Sequence, residues 1–261
     1  MPPNRDPRVK TLAIIPARLG ATRLPRKPLR HLAGTPLILR VLQRVHALRV
    51  ADRIVIATDD AEVRSIVETA GGEAVMTSGE HPSGTDRVAE VARRSEFSAF
   101  DVIVNVQGDE PFVSGDVVSG AIQQITWGGH ALGTAAVRAS AAVLMRPDVV
   151  KVVTADDGAA MYFSRAPIPY LRDAADENER DGRVLHHIGV YAYTPAALQH
   201  WISLPVHALE RVERLEQLRP LAAGMRMGVA IVDGDHRAGI DTEADLEQAN
   251  RDWPTFTMST T

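Results

Sequence analysis

The chain has 261 residues, of which 45% are apolar, enough to bury the core of one large domain with or without an appended lobe. A net charge of −4 and a pI near 6.1 provide no global basic field, so nucleic acid and anionic membranes are poor partners, and any anionic substrate must be met by local basic clusters. The absence of cysteine excludes disulfides, a thiol nucleophile and Cys-ligated metals.

The first ten residues, MPPNRDPRVK, carry no apolar core of a signal segment, and no later run approaches the roughly 18–20 apolar residues that span a bilayer. The reading is a soluble cytoplasmic protein. Lysine occurs only at Lys10, Lys27 and Lys151, so each is worth a question.

Thr11–Pro16 (TLAIIP) reads as a first buried strand ended by proline. The loop after it, residues 17–29, is basic and holds one Gly and two Pro, the usual place for a phosphate cradle in an α/β protein. It has neither the GxxxxGK[ST] spacing of a P-loop nor GxGxxG, which removes those two nucleotide folds and with them a dinucleotide-dependent oxidoreductase. Thr35-Pro36 is expected to open a helix carrying Leu37, Val41, Val45 and Leu48 on one stripe. Arg53–Thr58 follows as strand two, then a helix over 61–70 capped by Asp59 or Asp60 and stopped at Gly71-Gly72. Glu73–Met76 is strand three, and the turn Ser83-Gly84-Thr85 precedes a helix to about Arg94.

Val102, Ile103, Val104 and Val106 form a nearly continuous β-branched run, as in a strand buried on both faces, and it ends in Gln107-Gly108-Asp109-Glu110-Pro111. Two carboxylates thus follow the carboxyl end of a central strand, where open α/β sheets bind ligands and where an Asp can hold Mg²⁺ beside phosphates. The plainer alternative is an acidic turn. Helix 116–127 and strand 132–137 complete a β-loop-α alternation that predicts an α/β fold, with a mostly parallel nucleotide-binding sheet and helices on both faces.

Farther on, 149–154 is strongly β-forming, 173–181 reads as a polar mobile loop, and 209–223 as a single amphipathic helix. His186–Tyr193 alternates, with His187, Gly189, Tyr191 and Tyr193 on one face, either a half-exposed strand surface or the lining of a polyhydroxylated ligand. Asp241 reads as the N-cap of the last helix, and the tail after Trp253 as disordered.

Short motifs then fall in a recognisable order: IIPAR (14–18), TRLPRKPL (22–29), ATD (57–59), SGTDR (83–87), NVQGDEP (105–111), KVV (151–153), YFSRAPIPYLRD (162–173), HIGVYAY (187–193), LEQLR (215–219) and GIDTEADLE (239–247). In these the chain resembles the 3-deoxy-manno-octulosonate (Kdo) cytidylyltransferases, or CMP-Kdo synthetases, over nearly its whole length. The resemblance implies a single nucleotidyltransferase domain, 1–261, with a smaller inserted lobe at 140–205 for acceptor binding and homodimer formation. It implies CTP and a small acidic acceptor as substrates and Mg²⁺ as cofactor, held by Asp109 and Asp241. Arg18 and Lys27 would hold the triphosphate. Ala17, Thr22, Ser83, Gly84, Thr85 and Gln107 would complete the nucleotide pocket, leaving Glu110 as a turn or helix-start residue. Arg165, His187, Tyr191, Glu216 and Gln217 match acceptor positions.

The chain departs from the family pattern at Ala21, Arg26, His186, Thr194 and Val206-His207-Ala208, more at the acceptor end than at the nucleotide end. Two alternatives follow: a member of the same family that activates another small acid, such as a related ulosonate or a phosphonate, and a non-catalytic nucleotide-binding regulator.

Overall fold

The computed structural model describes residues 8–20, 23–234 and 237–256. In chain order the elements are β1 (Thr11–Ala17), β2 (His31–Leu32), β3 (Thr35–Pro36), α1 (Leu37–Leu48), β4 (Arg53–Thr58), α2 (Ala61–Thr69), β5 (Ala74–Met76), α3 (Gly84–Ala92), β6 (Val102–Asn105) and α4 (Gly115–Thr126). They continue as β7 (Leu132–Arg138), β8 (Lys151–Thr154), β9 (Ala160–Ser164), α5 (Glu177–Asp181), β10 (Leu185–Tyr193), α6 (Pro195–Ser203), α7 (Ala208–Glu213), α8 (Leu218–Ala222), β11 (Met227–Val232) and α9 (Glu243–Asp252). This is the α/β class expected, with mostly parallel strands flanked by helices. No helix among the described residues is long and apolar enough to cross a membrane.

The chain divides into two compact units, one of residues 1–118 with 236–261 and one of residues 119–235. In the first, four parallel strands run in the order β6-β1-β4-β5. Their β-branched runs are buried as parallel strands require: Leu12, Ala13, Ile14 and Ile15 are fully buried, as are Ile103 and Val104. The α1 stripe of Leu37, Val41, Val45 and Leu48 is also fully buried. Asp60 caps α2 by accepting from the Glu62 and Val63 N–H groups at 2.9 and 3.0 Å.

Thr35 does not cap α1. Thr35 and Pro36 pair with His31 and Leu32, and the Leu37 N–H finds its acceptor in the Arg30 carbonyl at 2.7 Å, so no hydroxyl is needed. Nor are residues 254–256 a loose tail: the Trp253 and Phe256 rings lie 5.7 and 5.0 Å from the Phe112 ring. Residues 257–261 lie outside the described residues.

In the second unit β7 lies between β11, to which it is parallel, and β10, to which it is antiparallel, while β8 and β9 form an antiparallel pair beside β10. This unit extends beyond 140–205 on both sides. The expected helix over 209–223 is two helices. Arg214 takes a left-handed conformation at φ 54°, and Pro220 has no N–H to extend a helical ladder. The break is held from outside, since Ser164 Oγ and the Arg165 N–H donate to the Glu213 carboxylate at 2.6 and 3.0 Å. The polar stretch 173–181 is helical rather than a loop, with Asp173 accepting from the Ala175 N–H at 2.9 Å. The β10 face is not half-exposed: His187, Tyr191 and Tyr193 are buried together with Ile188, Val190 and Ala192, and a bulge between Ile188 and Tyr191 interrupts the alternation.

Candidate active site

The loop after β1, the start of α3 and the loop after β6 meet at the carboxyl ends of the parallel strands of the first unit. Together they line a cavity of about 380 Å³. Ala17, Arg18, Lys27, Ser83, Gly84, Gln107, Asp109 and Asp241, all proposed from sequence, are on its wall. Thr85 is not; it is buried in the first turn of α3. Thr22 lies outside the described residues. Ser83 serves both readings of its turn, since its Oγ accepts from the Asp86 N–H at 3.3 Å as the α3 cap while the residue borders the cavity.

The two aspartates distant in sequence are joined by one cation. Lys27 Nζ donates to Asp109 Oδ2 at 2.6 Å and to Asp241 Oδ1 at 2.9 Å. Arg23 Nη2 takes the other Asp241 oxygen, Oδ2, at 2.9 Å. Burial works against charge on Lys27 and Asp241 alike, yet pairing wins for both: Asp109 and Asp241 lift the Lys27 ammonium above its ordinary pKa, and Lys27 with Arg23 brings Asp241 below its own.

Backbone contacts set this geometry. The Ile240 N–H donates to the Asp109 carbonyl at 2.9 Å. A Cβ on Gly239 would stand 2.8 Å from Glu110 Oε1, and one on Gly108 2.6 Å from the Pro16 carbonyl, so neither glycine leaves room for a side chain. Asp241 is not the cap of α9. Thr242 is, in a capping box with Asp245, and this leaves the Asp241 carboxylate available to Lys27. Glu110 is more than a turn residue. Desolvation first, then the charges of Asp109 and Asp241, hold its carboxyl well above the usual carboxylate range, with Lys27 only partly offsetting them.

The donor set fits a hard divalent cation. Two carboxylates converge on one positive centre inside a cavity with basic walls, and Mg²⁺ is characteristically held by one or two carboxylates together with substrate phosphates. Among the described residues no group of three or more His, Asp or Glu is placed to hold a metal ion.

Sequence reading assigned no role to Arg23, His81 or Arg87, which also line the cavity. Arg87 is buried, with Nη1 donating to Thr77 Oγ1 and Nη2 3.2 Å from Asp59 Oδ2. His81 Nε2 lies 2.5 Å from Glu90 Oε2. The signal was available for two of them, because Arg23 and Arg87 belong to the TRLPRKPL and SGTDR motifs.

The residues matched to acceptor positions lie in the second unit. The His187 and Tyr191 ring centroids are 5.5 Å apart, and Thr134 Oγ1 is 2.9 Å from His187 Nε2. Burial first, then the charges of Glu216 and Tyr193, raise the Tyr191 hydroxyl well above its ordinary pKa. Gln217 is buried. The Arg165 guanidinium donates to the Glu213 and Pro147 carbonyls at 2.8 and 2.9 Å.

A family model described as Cytidylyltransferase matches residues 12–227. The chain belongs to the cytidylyltransferase family. A protein of Gemmatimonas aurantiaca named 3-deoxy-manno-octulosonate cytidylyltransferase is 59% identical over 242 residues, covering 93% of each chain. One of the same name from Rhodopseudomonas palustris is 43% identical, covering 93% of this chain and 97% of its own. Among solved structures, CMP:2-keto-3-deoxy-manno-octonic acid synthetase complexed with CTP superposes with a TM-score of 0.86 at 37% identity, covering 94% of this chain and 99% of that one. Within the cytidylyltransferase family a cavity of cations and paired carboxylates is a fitting receptor for a nucleoside triphosphate.

Proposed function

We propose that this cytidylyltransferase joins CTP and 3-deoxy-D-manno-octulosonate to give CMP-Kdo and pyrophosphate, with Mg²⁺ as the cation, as a cytoplasmic homodimer serving lipopolysaccharide biosynthesis. The observation that carries the reading is the meeting of Lys27 with Asp109 and Asp241 in one cavity lined by Arg18, Arg23, Gln107 and the Ser83-Gly84 turn. The relatives named for this reaction, and the related synthetase complexed with CTP, supply the choice of nucleotide and acceptor.

The assigned roles follow from charge and position. Arg18 and Lys27 bind the triphosphate and neutralise the charge that builds on the departing pyrophosphate. Ala17, Thr22, Ser83, Gly84 and Gln107 belong to the nucleotide pocket, in which bare backbone at Gly84 permits close approach, while Thr85, buried in the first turn of α3, supports the turn from within. Asp109 and Asp241 would hold the metal, which when bound would supply polarisation of the phosphate and a lower pKa for the attacking hydroxyl. The acceptor hydroxyl oxygen attacks the α-phosphorus in line, the bond from that phosphorus to the bridging oxygen breaks, pyrophosphate leaves, and the hydroxyl proton passes to solvent. Positioning and neutralisation suffice, with no covalent enzyme intermediate. Arg165, His187, Tyr191, Glu216 and Gln217 are assigned to the acceptor, with Arg165 acting by holding the α7–α8 break in place.

Pyrophosphate release from CTP across a panel of acid sugars and phosphonates tests the acceptor. Turnover of Kdo above all others is expected, whereas no turnover of Kdo would transfer the proposal to another acid.

A further inference from the structure

We infer that Lys27 and Arg23 close the divalent-cation site of the free enzyme, so that the metal enters together with the nucleotide triphosphate rather than ahead of it. The inference rests on the assignment of Asp109 and Asp241 as metal ligands. Three of the four oxygens of these carboxylates already have cationic partners: Asp109 Oδ2 and Asp241 Oδ1 share Lys27 Nζ at 2.6 and 2.9 Å, and Asp241 Oδ2 takes Arg23 at 2.9 Å. An ammonium held between two carboxylates competes with any other cation that would share them, and its charge repels one that approaches. Lys27 is well placed to hold that position, because its side chain is only 17% exposed.

A triphosphate changes the balance. It brings several negative charges into the same cavity and offers Lys27 and Arg23 oxygens of higher charge than a carboxylate. Once they turn to the phosphates, both aspartates are freed for the cation that neutralises the same phosphates. Nucleotide and metal therefore bind with positive coupling, and by linkage each raises the affinity for the other by the same factor. Free metal is kept from a site where it has nothing to catalyse.

The test is Mn²⁺ binding, followed by electron paramagnetic resonance and by thermal shift, without nucleotide and with CTP. Wild-type enzyme should bind free Mn²⁺ weakly and bind it tightly once CTP is present. Lys27→Met should bind free Mn²⁺ on the order of tenfold more tightly than wild type and gain thermal stability from it, because it leaves two carboxylates without their shared cation. Arg23→Ala, at an exposed side chain, should shift free Mn²⁺ binding in the same direction by a smaller factor. Adding Asp109→Asn to Lys27→Met should abolish the gain. Equal free Mn²⁺ affinity in wild type and both variants overturns the closing role and leaves the metal assignment intact. Unchanged CTP-dependent Mn²⁺ binding in Asp109→Asn and Asp241→Asn overturns the metal assignment itself.

Discussion

The cavity of the first unit and the aromatic cluster of the second are both built from residues the family motifs point to, but different forces hold them. In the cavity, Lys27, Arg23, Asp109 and Asp241 are arranged by charge, and the groups remain partly open to solvent. In the second unit, His187, Tyr191 and Tyr193 are sealed by ring contacts, with Trp201 5.7 Å from Tyr191 and 5.6 Å from Tyr193. A charge-arranged site can be rearranged by a charged ligand at little cost to the fold. A ring-packed site trades that freedom for a fixed shape.

The contrast is sharpest in a comparison of Asp109→Ala with Lys151→Met. Removing Asp109 should cost transition-state stabilisation of about 4 kcal/mol, or roughly a thousandfold in pyrophosphate release, with the thermal transition nearly unmoved. Full activity in this variant would remove the cavity from the reaction. Lys151 is its counterpart in the second unit, a fully buried ammonium donating to the Val149, Arg146 and Arg165 carbonyls at 2.8, 2.9 and 2.5 Å. Methionine there strands three carbonyls, and chemical denaturation should show a loss of about 3 kcal/mol. A stability change below about 1 kcal/mol would show that water replaces the ammonium.

Tyr191→Phe probes whether the two regions act separately. Losing one buried hydroxyl should weaken acceptor binding by about 1 kcal/mol, seen as a rise of several-fold in the acceptor KM. The KM for CTP should stay constant, and a parallel rise in both would contradict the division of labour.

Legibility in the sequence follows the same contrast. Parallel strands buried on both faces leave β-branched runs, so β1, β4 and β6 and the carboxyl-end position of Asp109 could be read directly. The helix at 209–223 could not, because its apolar stripe continues across Arg214, whose left-handed turn is imposed by Ser164 and Arg165 from elsewhere in the chain. The cap of α9 was displaced by one residue for a similar reason: Asp241 and Thr242 are both good caps, and only the pull of Lys27 on Asp241 decides between them. The burial of Glu110 depends on Gly239, 129 positions away, and leaves no local signature.

The smallest expected effects are in pH dependence, and there the cavity carboxyl of Asp241 and the buried carboxyl of Glu110 should behave oppositely. Asp241 lies below its ordinary value of 3.8 despite burial, so its contribution to stability is present above that value and is lost as pH falls through the lower folded value. Asp241→Asn should therefore be less stable than wild type near neutrality and equal to it in strong acid. The difference should stay under about 1 kcal/mol, since the side chain is 44% exposed and solvent screens the pair. Glu110 is raised above its ordinary 4.5, first by burial and then by the same aspartates, so its contribution is present below that value and is lost as pH rises through the folded one. Glu110→Gln keeps the shape and removes the charge, and it should stabilise the protein above that range while making no difference in acid. Thermal melts of the two variants against pH should diverge in opposite senses from wild type. If both curves moved the same way, the cavity would be held by packing, as the aromatic cluster is, and the distinction between the regions would fall.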